Sequence, residues 1–279
     1  MAKTVLITGA SSGIGEETAK GLLAAGYTVY AGARRVDRMQ PLAGAGARLL
    51  ALDVTDDTSM TTAVETVLQE AGHIDVLVNN AGYGSYGALE EVPLDEGRRQ
   101  FDVNIFGLAR LIQLVLPTMR AQRSGRIVNV SSIGGKLGEP FGCWYHATKF
   151  AVEGLSDSLR MELHPFGIDV VIIEPGAILT EWNSIARDGL MKYSGDGAYR
   201  EGARAHAQMM ASADRGSLPS PPSVVARTIV QAVQARKPKT RYATGGGAKP
   251  ILFLRSVLSD RAFDATMRLF ERQAAKSAT

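Results

Sequence analysis

The chain lacks the residues that hold a fold together by covalent or metal bonds. Its single cysteine, Cys143, excludes an internal disulfide and fits a reducing cytoplasm. Cys143 is expected to serve as a small buried hydrophobe. The four histidines, His73, His146, His164 and His206, are scattered without ligand spacing, which argues against a metal site. The formal net charge is only +3, with no basic block beyond Arg34-Arg35 and Arg98-Arg99. No clustered basic face for nucleic acid is expected from that. No apolar run approaches the length of a membrane span, and the chain enters a strand almost at once, with no signal-peptide pattern.

What is present is alternation. Hydrophobic residues make up 45% of the 279, enough for a sizeable core. Apolar, β-branched runs at Thr4–Thr8, Thr28–Ala33, 48–52, Val76–Asn79, 127–130 and 168–173 are separated by helical segments. Strands apolar on both sides belong to a parallel sheet covered on both faces. Right-handed crossovers then give a doubly wound, Rossmann-like α/β sheet of about seven strands, a short one near 240–243 completing it.

Phe101, Ile105, Leu108, Ile112, Val115 and Met119 predict a helix over 94–120, kinked near its end by Pro117. A second helix, over 144–164, carries the small residues Ala147, Ala151 and Gly154. After Pro175-Gly176 the texture changes. The stretch 180–220 reads as a mobile loop over the substrate, followed by a helix over 223–236 and an apolar tail at 251–258 and 263–270. The expected organisation is one domain over 1–279, with a variable covering segment at 177–220 and an extension at 245–279.

A glycine-rich turn, Thr8-Gly9-Ala10-Ser11-Ser12-Gly13-Ile14-Gly15, follows the first strand and opens a helix. A helix N-terminus offers unpaired N–H groups and partial positive charge, which suit a pyrophosphate. Gly9, Gly13 and Gly15 let the backbone approach it, with Ser11, Ser12 and Ile14 between them. An NAD enzyme places an acid at the end of the second strand. Here Ala33 stands there and Arg34 follows, a guanidinium that suits the 2′-phosphate of NADP(H) over NAD(H).

Tyr145 and Lys149 are four apart, so on a helix they face the same way. An ammonium nearby favours phenolate and is expected to lower the tyrosine pKa. Tyr145 then exchanges a proton with a substrate oxygen as general acid or base. Ser132 follows the strand at 127–130 and can donate to the same oxygen. His146, next to Tyr145, is expected to point about 100° away and miss the site.

The glycine turn, Asn79-Asn80-Ala81-Gly82, Ser132 and Tyr145-His146-Ala147-Thr148-Lys149, in this order and spacing, resemble the short-chain dehydrogenase/reductase family in its compact form. The likeness runs from about Lys3 to Trp182 and fades where that family varies with substrate. It implies that Asp53 and Val54 meet the adenine, that Asn79, Asn80, Ala81 and Gly82 shape the floor, and that Pro175, Gly176 and Thr180 meet the nicotinamide end. It implies that Lys149 also holds the nicotinamide ribose and that Asn104 helps hold a proton-relaying water. The two long helices would form a four-helix contact in a homodimer or homotetramer. Arg241-Tyr242-Ala243-Thr244-Gly245 and the apolar tail are similar to members acting on steroids, retinoids or other lipophilic carbonyls. Trp182, Ile185, Leu190, Met191, Tyr193, Met209 and Met210, with Phe141 and Trp144 beside Tyr145, are expected to line an apolar pocket in which Glu181 and Asp188 are the few acids. A dinucleotide sensor without turnover is the alternative, but it has no need of Ser132, Tyr145 and Lys149. An extended-branch epimerase or dehydratase fits the glycine spacing less well.

Overall fold

The structure, a computed structural model, describes residues 2–277, with side chains through Leu269. Phe270, at the end of the apolar tail, lies outside the described side chains. Seven strands form the sheet: β1 (Thr4–Thr8), β2 (Thr28–Ala33), β3 (Arg48–Ala51), β4 (Val76–Asn79), β5 (Gly125–Val130), β6 (Ile168–Pro175) and β7 (Arg241–Thr244). Their order is β3-β2-β1-β4-β5-β6-β7 and every pairing is parallel. Successive side chains point to opposite faces, so Val5 and Ile7 enter one core layer and Leu6 the other. Val76 and Val78 divide from Leu77 in the same way, as Val128 and Val130 do from Ile127.

Helices cover both faces. They are α1 (Gly13–Ala24), the short α2 (Gln40–Gly44), α3 (Asp57–Ala71), α4 (Leu94–Phe101), α5 (Gly107–Gln122), α6 (Cys143–Leu163), α7 (Glu181–Ser194), α8 (Arg200–Arg215), α9 (Pro222–Gln234), α10 (Ala248–Val257) and α11 (Asp260–Ser277). Leu22 of α1 and Val225 and Ile229 of α9 lie in one layer; Val64 of α3, Val115 of α5 and Val152 of α6 lie in the other. Local chemistry sets the ends of α3: the Asp56 carboxylate accepts from Thr58 N–H at 3.0 Å, and Gly72 closes the helix in the left-handed conformation.

Three expectations change. The helix predicted over 94–120 runs from Leu94 to Gln122, but Asp102–Phe106 forms a π turn between α4 and α5, and the helix continues past Pro117. Among the described residues this is one stretch long and apolar enough by composition to cross a membrane; its Leu108, Leu111, Ile112, Val115 and Met119 are buried on the sheet. The covering segment is not a loop but two helices, α7 and α8. Their buried residues, Ala186 with Leu190 and Ala203 with His206, recur at helical spacing that a composition rich in Ala, Gly and Ser conceals. Cys143 opens α6 on its outer side and is exposed, not buried.

Candidate active site

Between β1 and β4 the chain departs in opposite directions, to β2 on one side and β5 on the other. Such a switch point opens a crevice beyond the carboxyl ends of the strands. Here it is a cavity of about 880 Å³, bounded by the glycine turn, the ends of β4, β5 and β6, and α7. Gly9 and Gly13 have φ of +68° and +58°, where a side chain would be strained. A Cβ on Gly15 would stand 2.2 Å from the Gly9 carbonyl oxygen. The turn is therefore bare backbone against the crevice, and Ser11, Ser12 and Ile14 line it. That is a cradle a dinucleotide pyrophosphate fits.

Asn80 fastens this turn. Its Nδ2 donates to the Thr8 and Gly9 carbonyls at 3.0 and 3.2 Å, while Ala81 N–H donates to Thr8 Oγ1 at 2.9 Å. Ala81 and Gly82 face the crevice as expected. Asn79 does not. Its Nδ2 donates to Asn129 Oδ1 at 2.9 Å, and Asn129 in turn donates to Ser156 on α6. Strand alternation is the reason: Asn79 shares the face of Leu77, which is turned into the core. Asn80, one residue on, is the crevice residue.

At the other end Arg34 is exposed beside the crevice, with Asp53 and Val54 across from it. Burial pushes the Asp53 carboxyl up, but hydrogen bonds from Thr55 N–H and Oγ1 and the charges of Arg34 and Arg99 outweigh it and hold it below the usual range. Arg35, which stood in the sequence only as the second of a basic pair, lies 3.5 Å from both Ser11 Oγ and Ser12 Oγ. With Arg38 it pairs with Glu181, at 3.3 and 2.8 Å, joining the β2 end to the start of α7.

Ser132, Tyr145 and Lys149 all line the crevice. Ser132 Oγ accepts from Gly134 N–H at 3.0 Å and donates a long bond to the Pro175 carbonyl at 3.5 Å. Lys149 Nζ donates to the Val130 carbonyl at 2.9 Å and lies 5.9 Å from the Tyr145 ring centroid. Burial pushes the Tyr145 phenol up to about 12, against a lowering hydrogen bond from Ser132, with the Glu139 carboxylate adding to the rise. The expected lowering by Lys149 is thus not seen. Burial instead brings the lysine down to about 8, opposed by Glu153.

Asn104 sits in the π turn with its side chain fully engaged. Its Oδ1 accepts from Tyr83 N–H at 3.1 Å, and its Nδ2 donates to the Tyr83 carbonyl and Thr148 Oγ1, both at 3.0 Å. Its amide thus clamps the Tyr83 segment to α6. Pro175, Gly176 and Thr180 line the crevice beside the end of β6.

Trp182, Ile185, Tyr193 and Met210 line the substrate end, with Tyr86. The Trp182 ring lies 4.9 Å from that of Tyr145. Leu190 is instead buried beneath the covering helices. Trp144 turns away from Tyr145 and packs edge-on against Phe101 at 6.2 Å. An acid not foreseen, Glu139, borders the crevice and accepts from the Tyr86 hydroxyl. Among the described residues no cluster of His, Cys, Asp and Glu could hold a metal.

A family model described as short chain dehydrogenase matches residues 3–190, more than half of the chain. A probable short-chain dehydrogenase/reductase VdlC of Helicobacter pylori is 35% identical over 95% of this chain and 96% of its own length. A 3-ketodihydrosphingosine reductase of Bacteroides thetaiotaomicron is 46% identical over 173 residues, 62% of each chain, so the match spans less than two thirds of that relative. A crystal structure of a short-chain dehydrogenase from Streptomyces avermitilis superposes with TM-score 0.80 at 36% identity, covering 99% of this chain and 98% of that one. The chain belongs to the short-chain dehydrogenase/reductase family. It is an oxidoreductase of that family, whose fold binds nicotinamide dinucleotides, and solved neighbours hold NADP in some cases and NAD in others.

Proposed function

We propose that the chain is an NADP(H)-dependent reductase of ketones or aldehydes, running toward the alcohol. The placing of Ser132, Tyr145 and Lys149 together on the crevice wall, with Ser132 hydrogen-bonded to Tyr145 and Lys149 Nζ 5.9 Å from the Tyr145 ring centroid, carries this reading. The dinucleotide, when bound, supplies hydride to the carbonyl carbon. Ser132 donates to the carbonyl oxygen, and Tyr145 protonates the alkoxide that forms. A phenol pushed up to about 12 remains protonated at neutral pH, which suits a proton donor. Lys149, cationic below about 8, stabilises the charge that the phenol leaves behind. Asn104 positions the Tyr83 segment. The turn Gly9 to Gly15, Asn80, Ala81 and Gly82 would hold the pyrophosphate and floor, Asp53 and Val54 the adenine, and Pro175, Gly176 and Thr180 the nicotinamide end.

Ala33 at the β2 terminus and the exposed guanidinium of Arg34 support NADP(H). The aromatic and aliphatic wall of Tyr86, Trp182, Ile185 and Met210 supports a lipophilic carbonyl. Similarity to a reductase whose named substrate is a ketone points the same way. We assign 177–220 to substrate covering and 245–279 to an extension of one domain. Exposed Phe106 at the end of the π turn and Phe150 on α6, with open space beside Gly154, support a homo-oligomer through the 94–122 helix and α6.

A cofactor-coupled assay over polyols, sugar ketones, cyclic ketones, steroids and retinoids tests the substrate. The expected outcome is the highest kcat/KM with NADPH and a lipophilic ketone. Preference for sugars or charged keto acids would overturn the lipophilic assignment.

A further inference from the structure

The orientation of the Ser132 hydroxyl depends on what holds its Oγ, which accepts from a backbone N–H. That donor, Gly134 N–H, lies in the loop joining β5 to α6. Residues 132–142 of this loop include four glycines, Gly134, Gly135, Gly138 and Gly142, so the backbone by itself is poorly constrained. One side chain spans it. His146 Nδ1 lies 2.9 Å from the Gly134 carbonyl, and His146 Nε2 accepts from Glu139 N–H at 3.2 Å. A carbonyl can only accept and an amide N–H can only donate, so the ring is the neutral Nδ1–H tautomer. The imidazole is 6% exposed and wedged between two glycines: a Cβ on Gly134 would lie 3.0 Å from Nδ1, and one on Gly142 would lie 2.7 Å from Cδ2.

We infer that His146 is a positioning residue for the reaction, a neutral staple that pins the 134–139 loop at both ends and so aims the Ser132 hydroxyl at the substrate oxygen. The inference rests on the proposed role of Ser132 in carbonyl reduction.

It has a pH consequence. A proton on Nε2 removes the acceptor for Glu139 N–H and turns the ring into a donor toward the Glu139 carboxylate, whose Oε1 is 3.8 Å away. Burial disfavours the imidazolium, but the Glu139 hydrogen bond and charge and the Gly134 carbonyl outweigh it, so protonation occurs above the ordinary 6.5. The groups that face this pair are Tyr86, whose hydroxyl donates to Glu139, His206 of α8, whose charge acts on Glu139, and Tyr145, whose ring is 5.5 Å from that of His146. The staple is held above the raised pKa of His146 and released as pH falls through it.

The experiment compares wild type with His146→Ala and His146→Gln. Gln carries both an N–H donor and a carbonyl acceptor and does not titrate. Amide exchange across the loop and the ¹⁵N shifts of the imidazole are followed against pH in the protein alone, and kcat and KM with NADPH and a ketone are followed in parallel. In His146→Ala the Glu139 amide is expected to exchange about tenfold faster. Its kcat is expected to fall about 10- to 100-fold, the scale of a misplaced reacting group, with little change in cofactor KM. His146→Gln should recover part of kcat and lose the acid limb of the wild-type profile. Wild-type exchange and kcat in His146→Ala, imidazole shifts of the Nε2–H tautomer, or an unchanged acid limb in His146→Gln would each overturn the staple. Absence of carbonyl reduction by wild type would overturn the proposed function instead, and exchange and tautomer would then decide whether the loop is stapled.

Discussion

The floor of the crevice and its roof are fastened by different contacts. The floor consists of strand ends locked by short, sheltered hydrogen bonds: Asn80 to the glycine turn, Asn79 to Asn129 to Ser156, Lys149 to Val130. The roof, α7 and α8, has one sheltered tie, Ala88 N–H to Ser194 Oγ at 2.9 Å, and otherwise meets the rest through the rings of Trp182 and Tyr86 and the pairs of Glu181 with Arg35 and Arg38, whose side chains are 48–49% exposed. Exposed ion pairs contribute about 0.2–1 kcal/mol, whereas a buried polar group stripped of its partner costs about 1–3 kcal/mol. The division suits a site that keeps one cofactor geometry while admitting and releasing substrate.

The largest expected effect lies on the floor. Tyr145→Phe is expected to lower kcat by about 10²–10⁴-fold while NADPH binding, followed by fluorescence titration, is retained. Near-normal turnover would show that the phenol is not the proton donor. Gly15→Ala drives a methyl into the Gly9 carbonyl and is expected to destabilise by about 1–3 kcal/mol in urea unfolding and to abolish cofactor binding. Normal affinity in that variant would mean that the turn is not the pyrophosphate cradle.

At the rim the expected effects are smaller. Arg34→Ala should weaken NADPH about tenfold or more and leave NADH nearly unchanged, because hydrogen bonds to charged groups contribute about 1.5–3 kcal/mol. Equal loss for both cofactors in a titration would refute the 2′-phosphate role. The pH profile divides floor from rim as well. Lys149 is held at about 8, below its ordinary 10.5, so its ammonium is present at neutral pH and lost as pH rises through about 8. Reductive kcat is expected to decline there. A flat profile from pH 7 to about 9.5 would remove Lys149's charge from the mechanism. The smallest effect belongs to the roof. Glu181→Gln is expected to cost less than about 1 kcal/mol of stability. Limited proteolysis should nonetheless speed up within 195–199, between α7 and α8, and slow again with NADPH and substrate. Unchanged cutting would mean that the roof is as firmly fixed as the floor.

This same division marks what could be read without coordinates. The sheet was legible because apolar strands at regular intervals leave few topologies. Tyr145 and Lys149 were legible because a helix carries i and i+4 on one side. Asn79 was assigned to the crevice together with Asn80, since the parity of a strand's last residue depends on where the strand stops. Cys143 was taken for a buried residue because composition cannot say which side of α6 meets the sheet. Glu139 and Arg35 carried no signal: their neighbours are Tyr86 and Glu181, 53 and 146 residues away. The covering helices were hidden by a composition that favours loops when read without phase.

The π turn at Asp102–Phe106 has a consequence for how this site tolerates change. A π turn amounts to one residue inserted into a helix. Residues before it and after it are therefore out of angular phase by about 100° relative to an unbroken helix. In the 29-residue span from Leu94 to Gln122, that offset lets Gly97 receive Trp144 while Gly107 presses against the Val54 carbonyl. Deleting one residue here would restore a regular helix but swing one of those faces off its partner. Asn104 would then leave the Tyr83 backbone. Insertions and deletions at this point are therefore not equivalent to substitutions: a single-residue length change is a rotation of half the helix.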